Sequence, residues 1–152
     1  MRMRAAIATA LLLAAGGASP KAQAPAKQYP IFTTEHFVSA MKTMGQALAA
    51  ANTSIARSEF EDSKAYVAIS RDRLATTITF WRDRKKDDAV KMLRATLSRL
   101  DDLDAALSAE KVDAARVATS STQVSTSCEA CHAVYREQDP ATKTYRLKAS
   151  LN

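Results

Sequence analysis

Apolar residues in this chain recur at alternating spacings of four and three, in successive segments. From about Thr34 to Ala56 the seam is Phe37, Met41, Met44, Leu48, Ala51 and Ile55. Such spacing lines side chains along one stripe of an α-helix. A second segment opens at Ser58, which with Glu61 reads as a capping box, and runs to about Arg82 with Val67, Leu74, Ile78 and Trp81 on one face. Arg71 interrupts that stripe. Asp87 reads as the cap of a third segment carrying Val90, Leu93, Leu97, Leu100 and Leu103, with Asp101 and Asp102 off that face. The fourth starts near Val112 and runs to about Gln138, its seam being Val117, Ser121, Val124, Cys128, Cys131 and Tyr135. Pro140 then stops it. An apolar stripe must be buried against another, so the pattern predicts an all-α fold, an antiparallel up-down-up-down four-helix bundle spanning residues 34–138.

Composition agrees. Three glycines and four prolines in 152 residues offer few of the turns an all-β fold needs. The segment Ala75-Thr76-Thr77-Ile78-Thr79-Phe80-Trp81 has β propensity but lies inside a helical repeat, so helix is expected to prevail there. The chain length suits one domain, and an apolar content of 47% can fill its core.

The first 26 residues read as a cleaved signal peptide. Arg2 and Arg4 precede an apolar run from Ala5 to Gly17, and small residues before Ala26 suit the peptidase. The run is about 13 residues, short of the roughly 20 a spanning helix needs, so no stable membrane insertion is expected. Export to the periplasm follows. Residues 27–33 are an extended lead-in and 139–152 an irregular tail. Removing residues 1–26, which hold Arg2, Arg4 and Lys21 and no acids, reduces 22 basic residues to 19 against 16 acidic ones. That small excess does not make a nucleic-acid binder. The run Arg82-Asp83-Arg84-Lys85-Lys86 is read as a solvated turn, with docking of an acidic redox partner as the lesser reading.

Chemistry concentrates at Cys128-Glu129-Ala130-Cys131-His132. Cys-x-x-Cys-His is the attachment signature of c-type haem. Two thiols add to vinyl groups on one porphyrin edge, and the next residue brings an imidazole to the iron. Residues three and four apart share a helix face, which supplies this geometry. His132 is then the proximal ligand. A thiol–disulfide motif would follow a strand, and no strand precedes Cys128. A zinc site wants four ligands, whereas the chain has two cysteines and only His36 and His132. A disulfide one helical turn long would stabilise little. One covalent haem c on Cys128 and Cys131 is the expectation.

The late position of the motif, with the string Cys-Glu-Ala-Cys-His-Ala-Val-Tyr-Arg, resembles the cytochrome c-prime family, and Ala40-Met41-Lys42-Thr43-Met44-Gly45 resembles its distal segment. The resemblance covers residues 124–136 most strongly. It implies a haem inside a four-helix bundle, on the fourth helix, with function decided at the sixth iron position. Aligning Met44-Gly45 with the family pattern puts Met41 there, as in the low-spin, methionine-ligated branch. Methionine at this spacing is otherwise ordinary core, and Met44 is the reserve ligand. His36 lies about 140° round the helix from Met41 and is expected to face solvent. The resemblance gives Arg136 a place beside the haem, shielding the ring or meeting a propionate; a surface arginine is the alternative. Phe37 stands where many members carry a distal arginine, and the long connection many have between helices 2 and 3 is missing.

The expected function is a periplasmic one-electron carrier with His132 and Met41 as axial ligands, working with redox partner proteins and catalysing no reaction of its own. The alternatives are a high-spin binder of nitric oxide or carbon monoxide, with Met41 packed over open iron, and a haem subunit of a larger complex. Family resemblance points to a homodimer through the first two helices, which no feature of the sequence demands.

Overall fold

A computed structural model of the chain describes residues 33–149. The signal-peptide reading and all but the last residue of the lead-in fall outside them. Helix dominates: α1 is Thr34–Ala56, α2 Phe60–Thr76, α3 Ile78–Asp83, α4 Asp87–Leu107 and α5 Ala114–Tyr135. Two short strands follow, β1 at Arg136–Gln138 and β2 at Tyr145–Leu147. The fold is all-α in character and bundle-like, with α1 packed on α2, α2 on α4 and α4 on α5.

The predicted stripes form the core. Phe37, Met44, Ala51, Val67, Leu74, Trp81, Val90, Leu93, Leu100, Leu103, Val117, Val124 and Tyr135 are all buried in one cluster. Met41, Leu48, Ile55, Ile78, Leu97, Cys128 and Cys131 pack half-buried against it. Arg71 is explained as well: it faces outward and pairs with Asp101 across α2 and α4.

Several local expectations are corrected. Ser58 does not cap the second helix; it adopts φ 60° and ends the first. Its N–H bonds the Ile55 carbonyl at 3.0 Å and the Glu59 N–H bonds that of Ser54 at 2.9 Å, a Schellman closure. Lys85, at φ 54°, repeats the device after α3, with Lys85 and Lys86 N–H groups on the Arg82 and Trp81 carbonyls at 3.0 Å. Neither position carries the glycine that usually signals this turn.

The second predicted helix is divided at Thr77. Hydroxyls of Thr76 and Thr77 donate to the carbonyls of Arg73 and Leu74 at 2.7 Å, and that of Thr79 to Thr76 at 3.4 Å. Side chains that take the i−3 carbonyl compete with the helical ladder, so the β-branched run breaks the rod without becoming a strand. Asp87 is the first helical residue of α4, and Lys86 occupies the cap position without a side-chain cap. Asp87 and Asp88 still face the positive end of the helix dipole.

The last helix is capped by Asp113, whose side chain accepts from Ala115 and Arg116 N–H groups at 2.9 and 3.3 Å. It ends at Tyr135, before Pro140, because the tail returns to it. Arg136, Glu137 and Gln138 pair antiparallel with Leu147, Arg146 and Tyr145. Lys148 bonds the Tyr135 carbonyl through its N–H and the Ala133 carbonyl through Nζ, both at 3.0 Å. The Asp139 side chain accepts from Ala141 and Thr142 N–H groups at 2.9 Å and holds the turn. The tail expected to be irregular is thus a hairpin that occupies the open carbonyls of α5 and buries Leu147.

Candidate functional site

Cys128, Cys131 and His132 lie on the last two turns of α5, all half-buried. Helical spacing puts the two sulfurs one turn apart along one face. Both thiols are free. Burial pushes the Cys128 thiol up, with Glu129 adding to the effect. Burial pushes that of Cys131 up to about 11, helped by Cys128 and Asp88. His132 is held below the usual imidazole range by burial and by the Arg136 charge, against an opposing effect of Glu129. The three groups are therefore neutral near pH 7: two protonated thiols and an imidazole able to donate a lone pair. Among the described residues no three His, Cys, Asp or Glu side chains converge as metal ligands.

Aromatic rings border this region. The Phe37 ring stacks on Phe80 with centroids 4.3 Å apart and meets Trp81 edge-on at 5.1 Å. Trp81 in turn lies 4.7 Å from the ring of Tyr135, one turn after Cys131. The cluster therefore joins α1 and α5 through α3, one turn from Met41 on the first and one turn from Cys131 on the second. Trp81 and Phe80 are fully committed to it. The Tyr135 hydroxyl is buried without a well-formed hydrogen bond. The Asp88 carboxylate lies beside it and is held below the usual carboxylate range chiefly by that hydroxyl. Burial first, then Asp88, pushes the Tyr135 phenol up.

On α1, Met41 is half-buried against the core, whereas Met44 is buried and its carbonyl faces the Ser70 hydroxyl at 3.4 Å. His36 is exposed and its N–H donates to the Thr33 side chain at 3.2 Å, a position at the helix start consistent with its expected outward direction. Arg136 is exposed just beyond α5, in extended backbone, with its guanidinium over the Tyr145 ring at 4.1 Å. The hairpin thus holds Arg136 through a partner that sequence reasoning missed. Tyr145 carried no periodic signal, and only the return of the chain brings it near.

At the far end of α5 the Ser121 hydroxyl donates to Asn52 Oδ1 on α1 at 2.7 Å. Between α4 and α5, Arg99 reaches Gln123 at 3.5 Å, while Asp88 meets Tyr135. No helix among the described residues is long and apolar enough to cross a membrane. Comparison with known proteins gives no matching family model, no similar curated protein and no similar solved structure.

Proposed function

We propose that this protein is an exported monohaem c-type cytochrome that carries single electrons, with haem attached to Cys128 and Cys131 and ligated by His132 and Met41. The observation that carries the reading is the complete Cys-x-x-Cys-His motif on one helix, with free, half-buried thiols and a neutral imidazole. That donor set fits a haem: thiols for two thioether bonds and a nitrogen for the iron.

The choice of Met41 is supported by how the helices are tied. Asn52 follows Phe37 by 15 residues, and Ser121 precedes Tyr135 by 14. The tie at Asn52–Ser121 and the ring chain Phe37–Trp81–Tyr135 therefore match opposite directions along α1 and α5. Likewise Arg99 follows Asp88 by 11 residues and Gln123 precedes Tyr135 by 12, which supports opposite directions for α4 and α5. These pairings favour an up-down-up-down bundle. In that register one turn forward from Phe37 and one turn back from Tyr135 lead the same way. Met41 then stands level with Cys131 and His132, and Met44 about one turn away, level with Cys128.

A haem held by His132 and Met41 would supply a one-electron couple, and a thioether together with an imidazole as donors would favour its reduced state. The chain's own residues do the rest. α5 fixes the attachment points, burial keeps the His132 nitrogen free to donate, and the aromatic cluster closes one end against water. The hairpin fastens α5 just beyond the imidazole.

The test is expression with periplasmic export and haem ligation machinery, followed by mass spectrometry under denaturing conditions. One haem retained in wild type and lost in Cys128→Ala/Cys131→Ala is the expected result. Ferric wild type should be low-spin by electron paramagnetic resonance and Met41→Ala high-spin. A high-spin wild type that binds carbon monoxide readily would overturn the Met41 assignment and leave a gas-binding cytochrome.

A further inference from the structure

The positive charge of this molecule is gathered at one end. Residues 82–94 hold Arg82, Arg84, Lys85, Lys86, Lys91 and Arg94 against Asp83, Asp87 and Asp88, a surplus of three. The other described residues, 33–81 and 95–149, hold 12 basic and 13 acidic side chains, a deficit of one. The surplus is shaped as well as concentrated: Arg82, Asp87, Val90, Lys91 and Arg94 line an open hollow of about 400 Å³ between α3 and α4.

We propose that this basic end is the docking face for a redox protein that presents carboxylates, a proposal that rests on the electron-carrier reading. Arg82, Lys91 and Arg94 are exposed and make no ion pair among the described residues, whereas Arg71, Arg99 and Arg146 each have a carboxylate partner. Asp87 and Lys91, and Lys91 and Arg94, are four and three residues apart, so they share one face of α4. Arg82 adds its charge from α3. An acid in the lining disfavours a compact anion seated in the hollow. A broad acidic surface meets the separated cations and leaves Asp87 in water.

Location gives the patch its use. Asp88 on the first turn of α4 lies beside Tyr135, one turn from Cys131 on α5. The basic end and the haem attachment site therefore adjoin. Electron transfer weakens steeply with distance, so a partner must settle near the cofactor. Long-range attraction at that end raises the rate at which productive encounters form.

The experiment compares two paired charge reversals in holoprotein. Lys91→Glu/Arg94→Glu alters the patch, and Lys111→Glu/Arg116→Glu makes the same charge change at the other end of α5. Reduced protein is mixed with ferricyanide across ionic strength, and isotopically labelled protein is titrated with hexaglutamate by nuclear magnetic resonance. The patch variant should react about tenfold more slowly at low salt, with the gap closing below about twofold near 0.5 M salt. The distal variant should change the rate less than about threefold. Hexaglutamate should shift resonances around Arg82, Lys91 and Arg94 in wild type and not in the patch variant. Equal slowing in both variants, or shifts elsewhere, would overturn the docking face. So would patch-dependent binding to vesicles of phosphatidylglycerol without any response to hexaglutamate, which would mark a membrane contact. Protein that acquires no covalent haem yet keeps the hexaglutamate shifts would sink the electron-carrier reading and the redox character of the partner, and would support the acidic-partner face alone.

Discussion

Replacing Phe80 with alanine tests the packing that ties α1 to α5. Phe80 is fully buried, its ring 4.3 Å from that of Phe37 and 5.1 Å from that of Trp81, with the Arg84 guanidinium 3.7 Å from its centroid. Removing a buried phenyl ring costs about 3–5 kcal/mol in lost transfer energy and unfilled space. Each aromatic contact adds about 0.5–1.5 kcal/mol beyond the area it buries. The cation above the ring adds about 0.5–1 kcal/mol. These values overlap, and the contact between Phe37 and Trp81 survives the change, so a loss of about 5 kcal/mol is expected. Domains of this size are stable by only about 5–15 kcal/mol, which leaves the variant folded but close to its limit. With a urea dependence of about 1.5 kcal/mol per molar, the unfolding midpoint should fall by about 3 M. Urea titration of the protein followed by circular dichroism measures this. Tyr66→Ala, on the exposed face of α2, should cost less than about 1 kcal/mol. A Phe80→Ala loss below about 1 kcal/mol, or one equal to that of Tyr66→Ala, would refute the reasoning.

Two other perturbations address the site helix and the turn before α2. With both cysteines free, burial pushes the Cys131 thiol up to about 11 against an ordinary 9.0, so at pH 8 its thiolate fraction is about a hundredfold smaller than in unfolded chain. Iodoacetamide should therefore modify Cys131 about 100-fold more slowly in the folded chain at pH 8, with the difference closing between pH 9 and 11 as the folded thiol ionises. Equal rates at pH 8 would place the thiol in water. Ser58→Gly should raise stability by about 0.5–1 kcal/mol in thermal or urea unfolding, because a Cβ at φ 60° is strained; destabilisation would show that the serine side chain is needed there.

The alternation of four and three makes the core legible from residue spacing alone. Phe37, Met44 and Ala51 on α1, Leu93, Leu100 and Leu103 on α4, and Val117 and Val124 on α5 are buried where the pattern places them. The bounds of α1 are readable from its stripe, and the structure adds the cap, Thr33. Positions where a side chain competes with the backbone are less legible. The break at Thr77 depends on which carbonyls the threonine hydroxyls take, and a propensity summed over a segment does not contain that choice.

What the sequence by itself determined is the helical character, the inward stripes and the Cys128-x-x-Cys131-His132 constellation, because these depend on spacing along one helix. Tertiary structure decided what spacing cannot encode. It turned Ser58 and Lys85 into left-handed helix endings without glycine, since packing of the next helix fixes the direction of exit. It folded residues 136–147 into a hairpin, which draws Arg136 over Tyr145 and brings Lys148 onto the Ala133 and Tyr135 carbonyls of α5. It also set Asp88 beside Tyr135, 47 positions away in the chain. Such contacts arise between elements, where the energy comes from two surfaces meeting, and neither segment carries that information alone.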